Sequence, residues 1–141
     1  MNGNRLEVGG KRRWQNRCGA VTVEFAITAP IFFLFLLVAF EFGWMNVIRH
    51  TADNAAYEAA RQAIVPGAAV ADARAEANRI LGIVGARGAT VTVTPPTIDV
   101  DTDAVTVSVD VPMNQNGLIL ARFSSATNLH SEATLRTERA E

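Results

Sequence analysis

The sequence predicts an α+β protein: one N-terminal transmembrane helix continuing into a long amphipathic helix, then a second helix and a small, mainly antiparallel sheet. Three patterns predict it. From Phe25 to Phe40 every residue except Thr28 is apolar. Alanines then recur at three- and four-residue steps from Ala52 to Ala63, the spacing of one helix face. Near the end, Val105, Val107, Val109 and Val111 alternate with Thr106, Ser108 and Asp110, the period of a half-buried strand.

The apolar core of Phe25–Phe40 rises about 24 Å as a helix. A hydrocarbon layer of about 30 Å needs roughly 20 residues, so the span draws on Ala20–Val23 before it and on Phe42–Ile48 after it. The chain has 141 residues and a formal net charge of -1, which hides an asymmetry. Residues 1–19 carry Arg5, Lys11, Arg12, Arg13 and Arg17 against Glu7 alone. A basic cluster just before an apolar run holds that end in the cytoplasm. The expected organisation is a basic cytoplasmic leader (1–19), a transmembrane helix (20–48) and an extracytoplasmic α+β domain (49–141). The KRR cluster reads as this topology signal and not as a nucleic-acid contact. Cys18 is the single cysteine and lies on the leader side, so the exported part is expected to rest on packing alone.

In order along the chain, the small residues Gly19 and Ala20 precede the apolar run, where an ordinary secretory signal would place its cleavage site after it. Glu24 is an ionisable group at the start of a membrane helix, which makes a functional role its default reading; the alternative is that it reaches the headgroup layer and benefits from the helix N-terminus. A cut after Gly19 would give Ala20 a new amino group four residues from Glu24, on the same helix face. Pro30 removes a backbone donor inside the span. Glu41 follows the run, three residues before Trp44; it is expected either to reach the outer interface beside Trp44 or to contact a partner.

The stripe of Ala52, Ala55, Ala56, Ala59, Ala60 and Ala63 permits close approach of another backbone, either this chain's own sheet or a neighbouring helix. Pro66 and Gly67 stop the helix near Ile64. A second helix is expected over Ala68–Val84, with Val70, Ala73, Ala77, Ile80, Leu81 and Val84 on one side; Gly82, Gly85 and Gly88 close it. Val91 and Val93 begin a strand that Pro95 and Pro96 confine to an edge or a bend. Asp101–Asp103 reads as the turn into the valine strand, and Leu129, Ser131, Ala133 and Leu135, alternating with His130, Glu132, Thr134 and Arg136, read as a third strand. Between them, Leu118, Ile119, Leu120 and Phe123 suit either one helical turn or a buried loop.

Few constellations carry chemistry. Asp99, Asp101, Asp103 and Asp110 copy the acidic positions of a calcium loop, but Ala104 stands where such a loop needs glycine; an acidic hairpin turn is the expected reading, with calcium left open. His50 and His130 lack metal-ligand spacing. No serine has a nucleophile-elbow context. The expectation is therefore no enzyme, no cofactor, no resident metal, no nucleic-acid partner and no small-molecule substrate.

The arrangement RCG-AVTV-EF ahead of the span resembles the class III signal cut by prepilin peptidases. More narrowly, GAVTVEFAITAPIFFLFLLVAFEFGW followed by NAAYEAARQA is similar to the TadE-like family of pseudopilins, of the TadE and TadG type. The matching residues are Gly19, Ala20, Glu24, Phe25, Pro30, Glu41, Phe42, Gly43 and then Asn54–Arg61; ATLRTE at Ala133–Glu138 faintly resembles the family's closing segment. Flp prepilins proper have Glu-Tyr where this chain has Glu-Phe. The resemblance implies a minor pilin-like protein of the tight-adherence system, which assembles Flp-type pili for adhesion and biofilm formation, and a pilin-like fold. It implies processing after Gly19 by a prepilin peptidase, with Gly19, Ala20, Glu24 and Phe25 as the processing site. It also implies other pilin-like subunits, the assembly proteins of that system and the bacterial inner membrane as partners, with Pro30, Glu41, Gly43, Ala52, Ala56, Ala59 and Ala63 for helix packing and assembly. Entry into the filament and retention in the membrane both remain open. The different-class alternative is an uncleaved single-pass anchor holding an extracytoplasmic ligand-binding or adhesin module.

Overall fold

The computed structural model describes residues 11–99, 102–118 and 127–137, with side chains from residue 19 onward. The element order is α1 (Lys11–Ala63), α2 (Val70–Ile83), β1 (Thr90–Thr94), β2 (Ala104–Pro112), a 3-10 turn (Met113–Gln115) and β3 (Asn128–Arg136). The class is α+β, as the sequence predicts, and among the described residues one helix is long and apolar enough to cross a membrane. By contacts the chain divides into two units, Met1–Ala39 and Phe40–Glu141. Residues 40–48, counted from sequence as the outer end of the span, fall in the second.

In the first unit the described residues are helical, and their large side chains are open. Phe25, Phe32, Phe33 and Phe35 are all at least half exposed. An apolar helix with no covered side is the pattern expected of a segment whose surroundings are lipid or other helices. Pro30 sits inside it without ending it.

The second unit holds the core. Its sheet has the order β1-β2-β3, both pairs antiparallel. Register places Val91 and Val93 opposite Val109 and Val107, and Leu129, Ser131, Ala133 and Leu135 opposite Val111, Val109, Val107 and Val105. These form one face. Val105, Val107, Val109 and Val111 are fully buried, each contributing about 1.5–3 kcal/mol by removal from water. They share a cluster with Ile48, with Ala73, Ala77, Ile80 and Leu81 of α2, and with all six alanines of the α1 stripe. Of the two partners that the stripe left open, the structure shows its own chain: Ala52, Ala55, Ala56, Ala59, Ala60 and Ala63 have no exposed surface. The opposite sheet face carries Thr92, Thr94, Thr106, Ser108, Asp110, His130, Glu132 and Thr134, and there the Thr106 and Thr134 hydroxyls meet at 2.8 Å.

Ser131 is the one polar residue at an inward sheet position, and it is buried. Its hydroxyl donates to Asp53 Oδ1 at 2.5 Å, so a buried donor finds a charged acceptor on α1. The turn after α1 is built by Pro66 and by Gly67 at φ 84°, with Ala68 N–H donating to Val65 O, the residue order of a type II turn. Helix α2 begins with Asp72 accepting from the Ala69 N–H at 3.1 Å. It ends with Ala86 N–H to Leu81 O and Gly85 N–H to Gly82 O, both at 3.1 Å. That bond pair with Gly85 at φ 67° is a Schellman motif. Gly82 itself lies within α2, one residue from its end, and Gly85 makes the stop. β1 is a sheet edge, and the Thr94-Pro95 bond that follows it is cis; Pro95 cannot donate to a ladder, which suits the edge expected of it.

Candidate functional site

The residues singled out from sequence divide into three groups along α1. At its N-terminal part, Gly19, Ala20, Glu24 and Phe25 are exposed, and a Cβ at Gly19 would meet nothing. Thr28 Oγ1 donates to the Glu24 carbonyl at 2.8 Å, a bond to the preceding turn that satisfies a hydroxyl within an otherwise apolar run. The glycine is thus not there for room inside this chain. Open side chains around a helical Gly-Ala step leave that stretch accessible to an external partner.

The second group is Glu41, Gly43 and Trp44. Glu41 is 4% exposed, an uncommon state for a glutamate unless it is paired. Its Oε1 accepts the Leu118 N–H at 3.1 Å. One helical turn on, Trp44 Nε1 donates to the Asn116 carbonyl at 2.7 Å. The two α1 side chains thereby hold both ends of the Asn116–Leu118 segment. The partner of Glu41 is a loop of its own chain, where the sequence offered the outer interface or an external contact. Gly43, between them, is exposed with open space about it.

Asn116 was not singled out from sequence, yet it ties the turn together. Buried at 7% exposure, its Oδ1 accepts the Arg87 N–H at 2.7 Å. Its Nδ2 donates to Arg87 O at 2.8 Å and to Pro112 O at 2.7 Å. Three of the side chain's four hydrogen-bonding positions are filled by backbone. Beside it, Gly88 has φ 67°, and a Cβ there would come within 2.7 Å of Gln115 Oε1; both the conformation and the close approach require glycine. The Asn116-Gly117 dipeptide was the available sequence signal, since Asn-Gly marks turns. Leu118 is 57% exposed and follows a 3-10 turn, so of the two alternatives the sequence leaves open, the buried loop does not hold at that residue; Ile119, Leu120 and Phe123 lie outside the described residues.

The third group is the alanine stripe. Ala52, Ala56, Ala59 and Ala63 face the core, while Asn54, Tyr57 and Arg61 stand outward, with Arg61 Nη1 3.4 Å from Glu58 Oε2. In the NAAYEAAR segment, therefore, the small residues serve this chain's own packing and the polar ones form the surface.

Elsewhere, Asp99 and Asp103 belong to a closed turn: Thr102 N–H donates to Asp99 O and Asp99 N–H to Thr102 Oγ1, both at 2.9 Å, and Thr137 N–H reaches Asp103 O. Asp101 lies outside the described residues. Among the described residues no group of three potential ligands forms a metal site. His50 lines an open groove of about 530 Å3 between α1 and α2, with Val47, Thr51, Ile80 and Ile83. His130, on the outer sheet face, has Nδ1 2.8 Å from Asp110 Oδ1 and Nε2 3.6 Å from Glu132 Oε2. The hydrogen bond to Asp110, then that residue's charge, and more weakly Glu132 raise its pKa above the ordinary value.

Comparison with known proteins bears on α1. Residues 19–61 match the family model described as TadE-like protein. No curated protein matches, and no solved structure does. The matched stretch begins at Gly19 and takes in Glu24, Pro30, the Glu41–Trp44 pair and the alanine stripe up to Arg61, so it covers the first two groups and all of the third but Ala63. Over this segment, about a third of its length, the chain is similar to the TadE-like family.

Proposed function

We propose that this protein is a minor, pilin-like component for the assembly of tight-adherence (Flp-type) pili, with a structural and not a catalytic role. A prepilin peptidase cuts it after Gly19, leaving Ala20 as the new N-terminus. The helix from Ala20 onward anchors the protein in the bacterial inner membrane with the basic leader in the cytoplasm and the α+β head outside. The freed amine of Ala20 and the carboxylate of Glu24, four residues apart on one helix face, pair within one chain or between neighbours, which lowers the penalty of holding either near lipid.

The observation that carries this reading is the match over residues 19–61, which starts at the residue after which the cut is proposed. The division of labour along α1 supports it. The alanines are occupied inside the head, whereas the apolar side chains before Phe40 are uncovered and available for lateral contact with other pilin-like subunits and assembly proteins. Adhesion and biofilm formation follow as consequences of assembled pili.

Removal of the gene from its bacterium tests the reading. Surface pili and attachment are expected to disappear and to return with the intact gene. Normal piliation and attachment in the deletion strain would overturn it.

A further inference from the structure

The Met113–Leu118 turn is an unusual piece of surface. Leu118 exposes 57% of its area at the end of a turn in which four backbone donors have partners within the chain. Met113 N–H donates to Thr127 O at 3.0 Å, Asn116 N–H to Met113 O at 3.2 Å and Gly117 N–H to Met113 O at 3.0 Å, while Leu118 N–H goes to Glu41. The Asn116 carbonyl takes the Trp44 indole N–H. An irregular backbone that lies against hydrocarbon must have its polar groups satisfied within the protein, and this turn meets that demand at four N–H groups.

The turn is tied to the part of α1 that directly follows the apolar run. Glu41 directly follows the apolar run, and a span of roughly 20 residues that starts near Ala20 ends close to it. Phe40 and Phe42, on either side of Glu41, are 67% and 69% exposed. A carboxylate at that level is unfavourable in lipid, yet Glu41 is covered, and the turn supplies its donor. Trp44, the other residue tied to the turn, is the side-chain type that concentrates at the membrane–water interface. Asn114 and Gln115, exposed in the same turn, suit the headgroup layer.

We propose that this turn is a second membrane contact, in which Leu118 inserts its side chain into the phospholipid interface at the leaflet where α1 emerges. The proposal rests on α1 crossing the membrane. A head held at two points, the helix and the Leu118 turn, keeps a fixed tilt to the bilayer surface, where a head held by the helix alone would swivel about it.

The full chain, with Cys18→Ser as background, is reconstituted in phosphatidylethanolamine–phosphatidylglycerol vesicles. Leu118→Cys, Phe40→Cys and Thr92→Cys each carry a nitrobenzoxadiazole label; Thr92 is exposed on the outer face of the sheet. The expected result is that the Leu118 label behaves as the Phe40 label does: blue-shifted emission, strong quenching by nitroxide-bearing phospholipid, and quenching by aqueous iodide several-fold weaker than at Thr92. A Phe40 label in lipid with a Leu118 label that iodide quenches as it does Thr92 overturns the second contact and leaves the span intact. A Leu118 label shielded from both quenchers also overturns it, since a protein surface then covers the side chain. A Phe40 label in water would end the membrane reading of α1 and this inference with it.

Discussion

Glu41 and Leu118, 77 positions apart in the chain, are joined by a 3.1 Å hydrogen bond from the leucine backbone to the glutamate carboxylate. With the Trp44–Asn116 bond one turn further on, it attaches the end of β2 and the turn after it to α1. The Glu-Phe-Gly that follows the apolar run is thus where the head is fastened to its own helix.

Removing the fastening has a calculable effect. Glu41→Ala leaves the part-buried Leu118 N–H without its acceptor, which costs up to the roughly 1–3 kcal/mol of a fully buried stranded donor. Glu41→Gln keeps an acceptor oxygen and is expected to lose less. Asn116→Ala strands the Arg87 amide and two carbonyls at once and is expected to equal or exceed Glu41→Ala. Thermal unfolding of the full chain in detergent gives the order, and hydrogen exchange at the Leu118 amide, faster in Glu41→Ala than in the parent, locates the cause.

The alanine stripe is a packing surface with no room to spare. Ala56→Leu adds three carbons where the parent side chain has no exposed area, and such overpacking destabilises by about 1–3 kcal/mol. Asn54→Ala, on the exposed side of the same helical turn, is expected to stay within about 0.5 kcal/mol. Equal effects of the two in a denaturation experiment would mean that α1 does not present this face to the core.

The outer face of the sheet carries a pH-sensitive contact. His130 is held with its pKa above the ordinary 6.5, first by its hydrogen bond to Asp110 and then by that residue's charge. For a folded-state pKa that is raised, the stabilisation is fully present below the unfolded value and is lost as pH rises through the folded one. The contribution of His130 should therefore be fully present below the ordinary value of 6.5 and fade as pH rises through the raised folded-state value. An NMR titration of the imidazole is expected to show a midpoint above 6.5 that falls towards it in Asp110→Asn.

What was legible in the sequence was local. The alternation of Val105–Val111 gave the central strand with its inward face, and Pro66-Gly67 and Gly85 marked the ends of α1 and α2 because backbone conformation at those residues depends on near neighbours. Relations across long separations were not legible. Nothing near Glu41 names Leu118, and the alanine spacing describes a surface without naming what covers it. Asn116 is not legible as a structural residue because a single polar residue in an irregular stretch has no period; the Asn-Gly pair is the one local turn signal there. The alternation around Ser131 marks a strand, but the acceptor of its hydroxyl, Asp53, sits on a helix 78 residues away.

The central claim, that Gly19–Phe25 is a processing site ahead of an assembly helix, is tested most directly by the N-terminal mass of the protein taken from native membranes. A chain that begins at Ala20, and that keeps its leader when Gly19 is replaced in Gly19→Val, is the predicted result. An intact Met1 terminus, the same in the parent and in Gly19→Val, would contradict it.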